Sequence, residues 1–156
     1  MLPLIVAIII AVADQLTKEW VRATLALDKP GTAITAFFNL TYVRNTGAAW
    51  GMFGGQNIGL TVLSIVMLGL LIIFRRQFLG DSRAHRLALG LLIGGIVGNL
   101  LDRIRLNFVT DFLDFHLGTH HWPSFNIADS AICCGVGIYI FSSFMASKNS
   151  QASKSA

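Results

Sequence analysis

Four apolar segments constrain the fold of this 156-residue chain more than any other feature. They cover residues 2–21, 58–74, 87–101 and 127–146. A helix needs about 20 residues to cross the hydrocarbon core of a bilayer and manages with roughly 17. Charged residues make up 13% of the chain and hydrophobic residues 54%, whereas a typical soluble domain carries about 25% charged residues. The sequence therefore predicts an integral membrane protein.

Each apolar segment should be helical, because lipid offers no hydrogen-bond partner to an open backbone. We expect an all-α membrane protein with four transmembrane helices in one domain, 1–146, the helices covering about residues 2–22, 58–74, 86–101 and 127–146. The third helix is short and should gain length through snorkelling of Arg86. The polar tail, residues 147–156, is expected to be disordered and cytoplasmic.

The distribution of basic residues indicates the orientation in the membrane. An even number of spans puts both termini on one side, and four arginines cluster between residues 75 and 86 on that side. The two sides carry six basic residues each, so the dense arginine cluster decides, and it predicts cytoplasmic termini. Residues 11–13 resemble a signal-peptide cleavage site, but no basic residue precedes the apolar run, which favours a retained helix. No basic patch interleaved with aromatics suggests nucleic-acid binding.

The extracytoplasmic segment, residues 28–57, does not have the composition of a plain linker. Residues 36–43 are aromatic and β-branched, which is typical of a strand, and residues 44–55 are rich in small residues that suit tight turns. We expect a small β-sheet lying at the membrane surface.

Asp111 and Asp129 are the principal candidates for a functional site. Asp129 lies at the start of the fourth apolar segment, and Asp111 lies in Val109-Thr110-Asp111-Phe112 shortly before it. An ionisable group at a bilayer boundary costs free energy, which makes it a candidate for function. Two neighbouring carboxylates that share one proton could activate water.

Other polar residues near the outer boundary admit structural and functional interpretations. Asp14 and Lys18 share a helix face and could form a salt bridge or belong to the site. Asn99, Asp102 and Arg103 could terminate and anchor the third helix. Asn126 suits an N-cap, whereas capping explains Asp129 less well.

Two further patterns are interpreted as structural. Gly90, Gly94 and Gly98 form a small-residue stripe that would let another helix approach. His116, His120 and His121 lie near Asp114, but Gly118 interrupts the spacing, so no metal site is expected.

Five motifs in order resemble those of the bacterial lipoprotein signal peptidase family (signal peptidase II), and they cover nearly the whole chain except its tail. These are Asp14-Gln15-x-x-Lys18, Arg44-Asn45-Thr46-Gly47-Ala48-Ala49-Trp50, Gly98-Asn99-Leu100-Leu101-Asp102-Arg103, Val109-Thr110-Asp111-Phe112 and Phe125-Asn126-Ile127-Ala128-Asp129. The chain departs from the family pattern at Trp50, where Phe is more usual.

The resemblance implies an intramembrane aspartic endopeptidase with Asp111 and Asp129 as its catalytic dyad. Its substrate would be a prolipoprotein cut on the N-terminal side of a diacylglyceryl-modified cysteine. The residues carried over as binding or ordering the site are Asn45, Asn99, Arg103, Asn126, Asp14, Lys18, Gly47 and Trp50.

The resemblance also implies a bacterial inner-membrane location, with the active site near the periplasmic face. The expected partners are the signal peptide and membrane lipids, without nucleic acid, metal or cofactor, and the chain is expected to be monomeric. The alternatives are a small proton or ion transporter and a structural subunit. A transporter should have acids at mid-bilayer and a polar path across, which the apolar second segment does not provide.

Overall fold

The computed structural model describes residues 1–28, 32–48, 52–79 and 82–154. These residues form five helices and four strands in the order α1 (Leu2–Thr24), β1 (Thr32–Thr35), β2 (Phe38–Asn45), α2 (Asn57–Ile73), α3 (Arg75–Leu79), α4 (Arg83–Leu106), β3 (Val109–Leu117), β4 (His120–His121) and α5 (Ile127–Lys154). The predicted sheet is present, but the sequence analysis did not anticipate that its second half comes from residues 109–121. The prediction of a mostly helical chain with a small sheet is confirmed for the described residues.

The sheet is antiparallel, with strand order β1-β2-β3-β4. In the β2–β3 pair, Val43 lies opposite Asp111 and Asn45 opposite Val109. Tyr42 and Phe112 are buried and pack on Val21 of α1. Since successive side chains of a strand point to opposite faces, burial of Phe112 directs Asp111 to the other face. Packing of the sheet on α1 thus decides where Asp111 points.

Helix α4 lies between α1 and α5, and its glycines allow both neighbours to come close. A Cβ atom added at Gly94 would lie 2.8 Å from the carbonyl oxygen of Ala7 in α1. One added at Gly95 would collide with the carbonyl oxygen of Ala128 in α5. The small-residue stripe is therefore a packing surface, because any larger side chain would separate the helices.

Helix α4 is longer than the sequence predicted. The side chain of Ser82 caps its start by accepting a hydrogen bond from the backbone N–H of Ala84 at 3.2 Å. Asn107 ends it with a left-handed backbone (φ 65°). The 24 residues extend over about 36 Å at 1.5 Å per residue, so the helix needs no snorkelling to gain length.

Helix α5 continues to Lys154, into the stretch that composition predicts to be disordered. Extending an existing helix costs much less than nucleating one, because each added residue brings its own hydrogen bond. The helical backbone of residues 147–154 corrects the expectation for the tail, and residues 155–156 lie outside the described part.

Two of the described helices are long and apolar enough to cross a membrane, namely α4 and residues 127–148 of α5. Helix α2 is apolar but has 17 residues. Helix α1 has 23 residues and carries Asp14, Lys18, Glu19 and Arg22 in its second half.

We predict that Gly94→Ala destabilises the protein by about 1–3 kcal/mol, because the new methyl group meets the α1 backbone rather than a movable side chain. Gly69→Ala in α2 is the matched control, since an added Cβ there has nothing within 4 Å. Thermal unfolding in detergent checks the difference. Equal unfolding midpoints for the two variants would contradict the close contact.

Candidate active site

Asp111 and Asp129 come from different elements and open into one cavity. Asp111 lies on β3 with 2% of its surface exposed, and Asp129 lies in the first turn of α5. Both line a cavity of about 480 Å³, together with Asn45, Asn99 and Arg103. The structure therefore brings together two acids that lie 18 positions apart in the sequence (129 − 111).

Two amide side chains hold the carboxylate of Asp111. Asn126 Nδ2 donates to Asp111 Oδ1 at 2.7 Å, and Asn45 Nδ2 donates to Asp111 Oδ2 at 2.9 Å. Each oxygen of Asp111 therefore accepts one fixed hydrogen bond, which restricts rotation of the carboxylate plane. This kind of restraint prepares a reacting group for a single geometry.

Asp129 is held by a third amide and by the start of its own helix. Asn99 Nδ2 donates to Asp129 Oδ1 at 2.7 Å. Asn126 is the N-cap of α5: its Oδ1 accepts from the backbone N–H of Asp129 at 2.9 Å, while its own backbone N–H donates to Asp129 Oδ2 at 3.3 Å. This reciprocal pair is a capping box. Capping and a place in the cavity are thus compatible roles for Asp129, whereas Asn126 is fully buried, does not line the cavity and acts by holding both acids.

Lys18 has no exposed surface and contacts buried polar side chains of α1 and α4. Its Nζ is 2.8 Å from Asp14 Oδ2 and 3.3 Å from Asp102 Oδ2. It also donates to Asn99 Oδ1 at 2.9 Å. An ammonium group only donates, so Asn99 must present its oxygen to Lys18 and its Nδ2 to Asp129. The amide that holds Asp129 is therefore oriented by a buried charge.

Asp14 connects α1 to the start of α5. Its Oδ1 accepts a hydrogen bond from the backbone N–H of Ala128 at 2.9 Å, so it caps the second residue of α5 from another helix. A Cβ added at Gly98 would lie 2.6 Å from Asp14 Oδ2. The glycine of the Gly98-Asn99 motif therefore provides the space in which this carboxylate lies. The predicted Asp14–Lys18 salt bridge exists and is continuous with the site.

Arg103 and Gly47 connect the site to the turn that follows β2. Arg103 NH2 donates to the carbonyl oxygen of Gly47 at 3.0 Å. Asn45 Oδ1 accepts from the backbone N–H of Gly47 at 2.9 Å, and Asn45 Nδ2 also reaches the carbonyl oxygen of Ala48 at 3.3 Å. The turn therefore has a fixed place beside the cavity. Trp50, the remaining residue predicted for the site, lies outside the described residues.

Burial and the charge of Asp129 raise the pKa of Asp111 to about 7. The hydrogen bonds from Asn45 and Asn126 and the charge of Lys18 oppose this shift without cancelling it. A carboxyl group with a pKa near neutrality can be protonated or ionised under physiological conditions, which suits acid–base chemistry.

The cavity lining includes apolar side chains as well as the two acids. Phe125, Ile132 and Cys133 contribute to it, and Ile132 and Cys133 belong to α5. A second cavity of about 350 Å³ shares Asn45, Asp111, Pro123 and Ser124 with the first and is also lined by Thr46 and Gly47. Asp111 therefore borders both cavities.

The histidines near Asp114 contact that carboxylate and each other. His121 Nδ1 is 2.8 Å from Asp114 Oδ1, and the ring of His116 stacks on that of His121 at 5.0 Å. Burial alone would raise the pKa of Asp114, but hydrogen bonds from His121 and Asn39 lower it on balance. Among the described residues, no group of three or more His, Cys, Asp or Glu side chains is arranged to hold a metal ion.

Sequence reasoning identified most of this cluster but left out three residues. Asp102 accepts hydrogen bonds from Gln15 Nε2 at 3.1 Å and from the backbone N–H of Thr110 at 3.0 Å. Its i+3 spacing from Asn99 is the sequence signal for a site role, alongside the alternative that it terminates the helix. Gln15 and Thr110 stand within two of the family-like motifs, but the sequence analysis assigns neither of them a role.

The chain matches the family model described as signal peptidase (SPase) II over residues 6–145. It is 45% identical over 148 residues to the lipoprotein signal peptidase of Shewanella loihica, covering 92% of this chain and 86% of that protein. The lipoprotein signal peptidase of Syntrophotalea carbinolica is 41% identical over 143 residues, covering 88% and 87%.

Two solved structures, each described as a bacterial membrane enzyme solved by the in meso method, share the fold. One, at 2.3 Å resolution, has a TM-score of 0.84 and 31% identity, covering 94% of this chain and 90% of its own. The other, at 1.9 Å resolution, has a TM-score of 0.77 and 32% identity, covering 90% of each chain. These matches do not favour the transporter alternative, and the chain belongs to the signal peptidase II family.

Proposed function

We propose that this chain removes signal peptides from diacylglyceryl-modified prolipoproteins as an aspartic endopeptidase, with Asp111 and Asp129 as its catalytic residues. Family membership supports the peptidase activity. The observation that carries the aspartic mechanism is that two acids from different elements open into one cavity, each held by amide donors. Cleavage on the N-terminal side of the lipid-modified cysteine follows from the family resemblance.

In the proposed mechanism, Asp129 is the ionised member of the dyad and Asp111 the protonated one. The position of Asp129 in the first turn of α5 supports this, because the positive end of a helix dipole stabilises a carboxylate. Asp111 lies on a strand, without that dipole, and the pKa of its carboxyl is raised by burial and by the charge of Asp129. The two titrations are nevertheless coupled and belong to the pair.

Hydrolysis then needs water and the two carboxyl groups. Asp129 takes a proton from water as the oxygen forms a bond to the scissile carbonyl carbon. The proton on Asp111 hydrogen-bonds the developing oxyanion. When the C–N bond breaks, the pair delivers a proton to the leaving nitrogen. The products are the carboxylic acid of the signal peptide, which then loses its proton to solvent, and the free amine of the lipid-modified cysteine, and the pair returns to its singly protonated state.

We assign the remaining residues to ordering the site rather than to contacts with the substrate backbone. Asn45, Asn99 and Asn126 direct amide donors at the two acids. Lys18 and Asp14 fix the orientation of Asn99 and the start of α5. Arg103 holds Gly47, and Trp50 is proposed to cover the bound substrate together with this turn.

We further propose that α1, α2, α4 and α5 all span the bacterial inner membrane, with both termini cytoplasmic. The exposed apolar surface of α2 and α5 supports contact with lipid. The cavity is lined in part by α5, so a signal helix and acyl chains could enter laterally from the bilayer. A monomer is sufficient, since both acids and their amide partners belong to one chain.

We predict that Asp111→Asn and Asp129→Asn each lower kcat by about 10²–10⁴-fold, because each removes a group that exchanges protons during the reaction. The assay uses purified protein in detergent with a lipid-modified prolipoprotein. Asp28→Asn is the matched control, since Asp28 is exposed and its positive φ (51°) suits Asn equally well. If a dyad variant is folded and still cleaves at the wild-type rate, the aspartic mechanism fails.

We predict that kcat decreases as the pH rises through about 7, because the pKa of Asp111 is raised to about 7 and ionisation removes the proton offered to the oxyanion. The sign follows from the required state: the protonated carboxyl predominates below its pKa and disappears above it. Initial rates at saturating substrate check this. Unfolding measured at the same pH values separates titration from denaturation, and a rate that keeps rising well into the alkaline range contradicts the assignment.

A further inference from the structure

Asp102 connects the buried polar side chains of α1 and α4 to β3, the strand that carries Asp111. It lies in α4 with no exposed surface. Its Oδ2 accepts a hydrogen bond from the backbone N–H of Thr110 at 3.0 Å, and Thr110 immediately precedes Asp111 in β3. Its Oδ1 accepts from Gln15 Nε2 at 3.1 Å. The backbone next to one candidate catalytic acid is therefore tied to a side chain of α4 that is itself held by α1.

Asp102 also balances the charge of the buried cluster. Its Oδ2 is 3.3 Å from Lys18 Nζ, and its Oδ1 is 3.6 Å from Arg22 NH1. Asp14 is the second acid against Lys18, at 2.8 Å. Arg22 also pairs with Glu19 at 3.0 Å. Removing Asp102 therefore weakens the compensation of two cations at once, although Lys18 keeps Asp14 as a carboxylate partner.

Asp102 does not line either of the two cavities described above that Asp111 borders. A substrate in the cavity would therefore touch Asp111 and Asp129 without touching Asp102. Any effect of Asp102 on catalysis has to pass through the residues it holds, and it should change kcat rather than KM.

We propose that Asp102 is a positioning residue for Asp111: it anchors the strand at Thr110 and its charge compensates Lys18 and Arg22 beside the dyad. The proposal rests on the proposed aspartic mechanism. Its first part depends on the backbone hydrogen bond, and its second part depends on the negative charge. Two substitutions separate them, because Asp102→Asn removes the charge but keeps an acceptor oxygen, whereas Asp102→Ala removes both.

The charged groups that face Asp111 determine the sign of the expected pH effect. They are Asp129 from α5, Lys18 from α1 and Arg103 from α4. On β2, Arg44 packs over the Tyr42 and Phe108 rings. Asp102→Asn removes one of the negative charges that offset Lys18 and Arg22, which should stabilise the ionised form of Asp111 and lower its pKa. The alkaline limb of the kcat profile should therefore move to lower pH.

The test measures kcat and KM against pH for wild type, Asp102→Ala and Asp102→Asn with the lipid-modified prolipoprotein. For Asp102→Ala we expect a decrease in kcat of about tenfold or more with little change in KM, since misplacing a reacting group by about 1 Å can cost a hundredfold. For Asp102→Asn we expect a smaller decrease and the acid shift of the alkaline limb.

Glu19→Gln is the matched control. It removes the same charge one residue after Lys18, where Glu19 pairs with Arg22 at 3.0 Å and its side chain is 53% exposed. Solvent screens a charge at such a site, so its kcat profile should coincide with that of wild type. If Asp102→Ala does not accumulate as folded protein, Asp102→Asn decides alone.

Three results overturn the proposal. The first is an Asp102→Asn profile that coincides with wild type. The second is a loss confined to KM. The third is a folded Asp102→Asn protein that cleaves at no pH, because its amide oxygen could still accept from Thr110. Failure of the proposed function gives a different result, since wild type itself would then not cleave.

Discussion

The structure depends on one buried ammonium group. Lys18 has no exposed surface and lies between the carboxylates of Asp14 and Asp102. A charge this far from water is stable only when its partners and hydrogen bonds are complete. Asp14 in turn caps α5, Asp102 holds β3, and Lys18 itself orients Asn99. Helices α1, α4 and α5 and strand β3 therefore meet in one network of buried polar side chains. The free-energy cost of removing these groups from water is offset only when all four elements are in place.

The close packing of α1, α4 and α5 allows the side chains of this network to reach each other. The glycine face of α4 brings α1 and α5 close enough for side chains as short as Asp and Asn to reach each other across three elements. Short side chains have few rotatable bonds, so they lose little conformational entropy when they are fixed and keep their hydrogen-bond geometry narrow. The glycine face of α4 therefore accounts both for the close packing of the helices and for the well-defined hydrogen bonds between their polar side chains.

Much of the fold and of the candidate site could be predicted from the sequence. The features that could not be predicted depend mainly on contacts between residues that are not neighbours in the chain. Asp111 and Asp129 were identifiable because acids are rare beside apolar segments, and Asn126 because Asn suits an N-cap. That Asn45 meets Asp111 depends on strands paired across 66 positions, which no local pattern indicates. The role of Asp102 was not evident because its contact with Gln15 joins residues 87 positions apart, and its contact with Thr110 depends on where β3 begins. The helical backbone of residues 147–154 was not predicted, because amino-acid composition indicates how polar a segment is but not whether it continues a preceding helix.

The capping box and the bridge at Phe125 have a consequence for how this enzyme can diversify. Phe125 exchanges backbone hydrogen bonds with Leu113 at 2.8 and 3.1 Å, and Asn126 begins α5 in the next position. Both ends of residues 114–124 are thus clamped to the framework, one on β3 and one at the helix start. Trp122, Pro123 and Ser124 of this segment line the cavity. Substitutions there would change the cavity rim while the two attachment points, at Leu113 and at the start of α5, stay where they are.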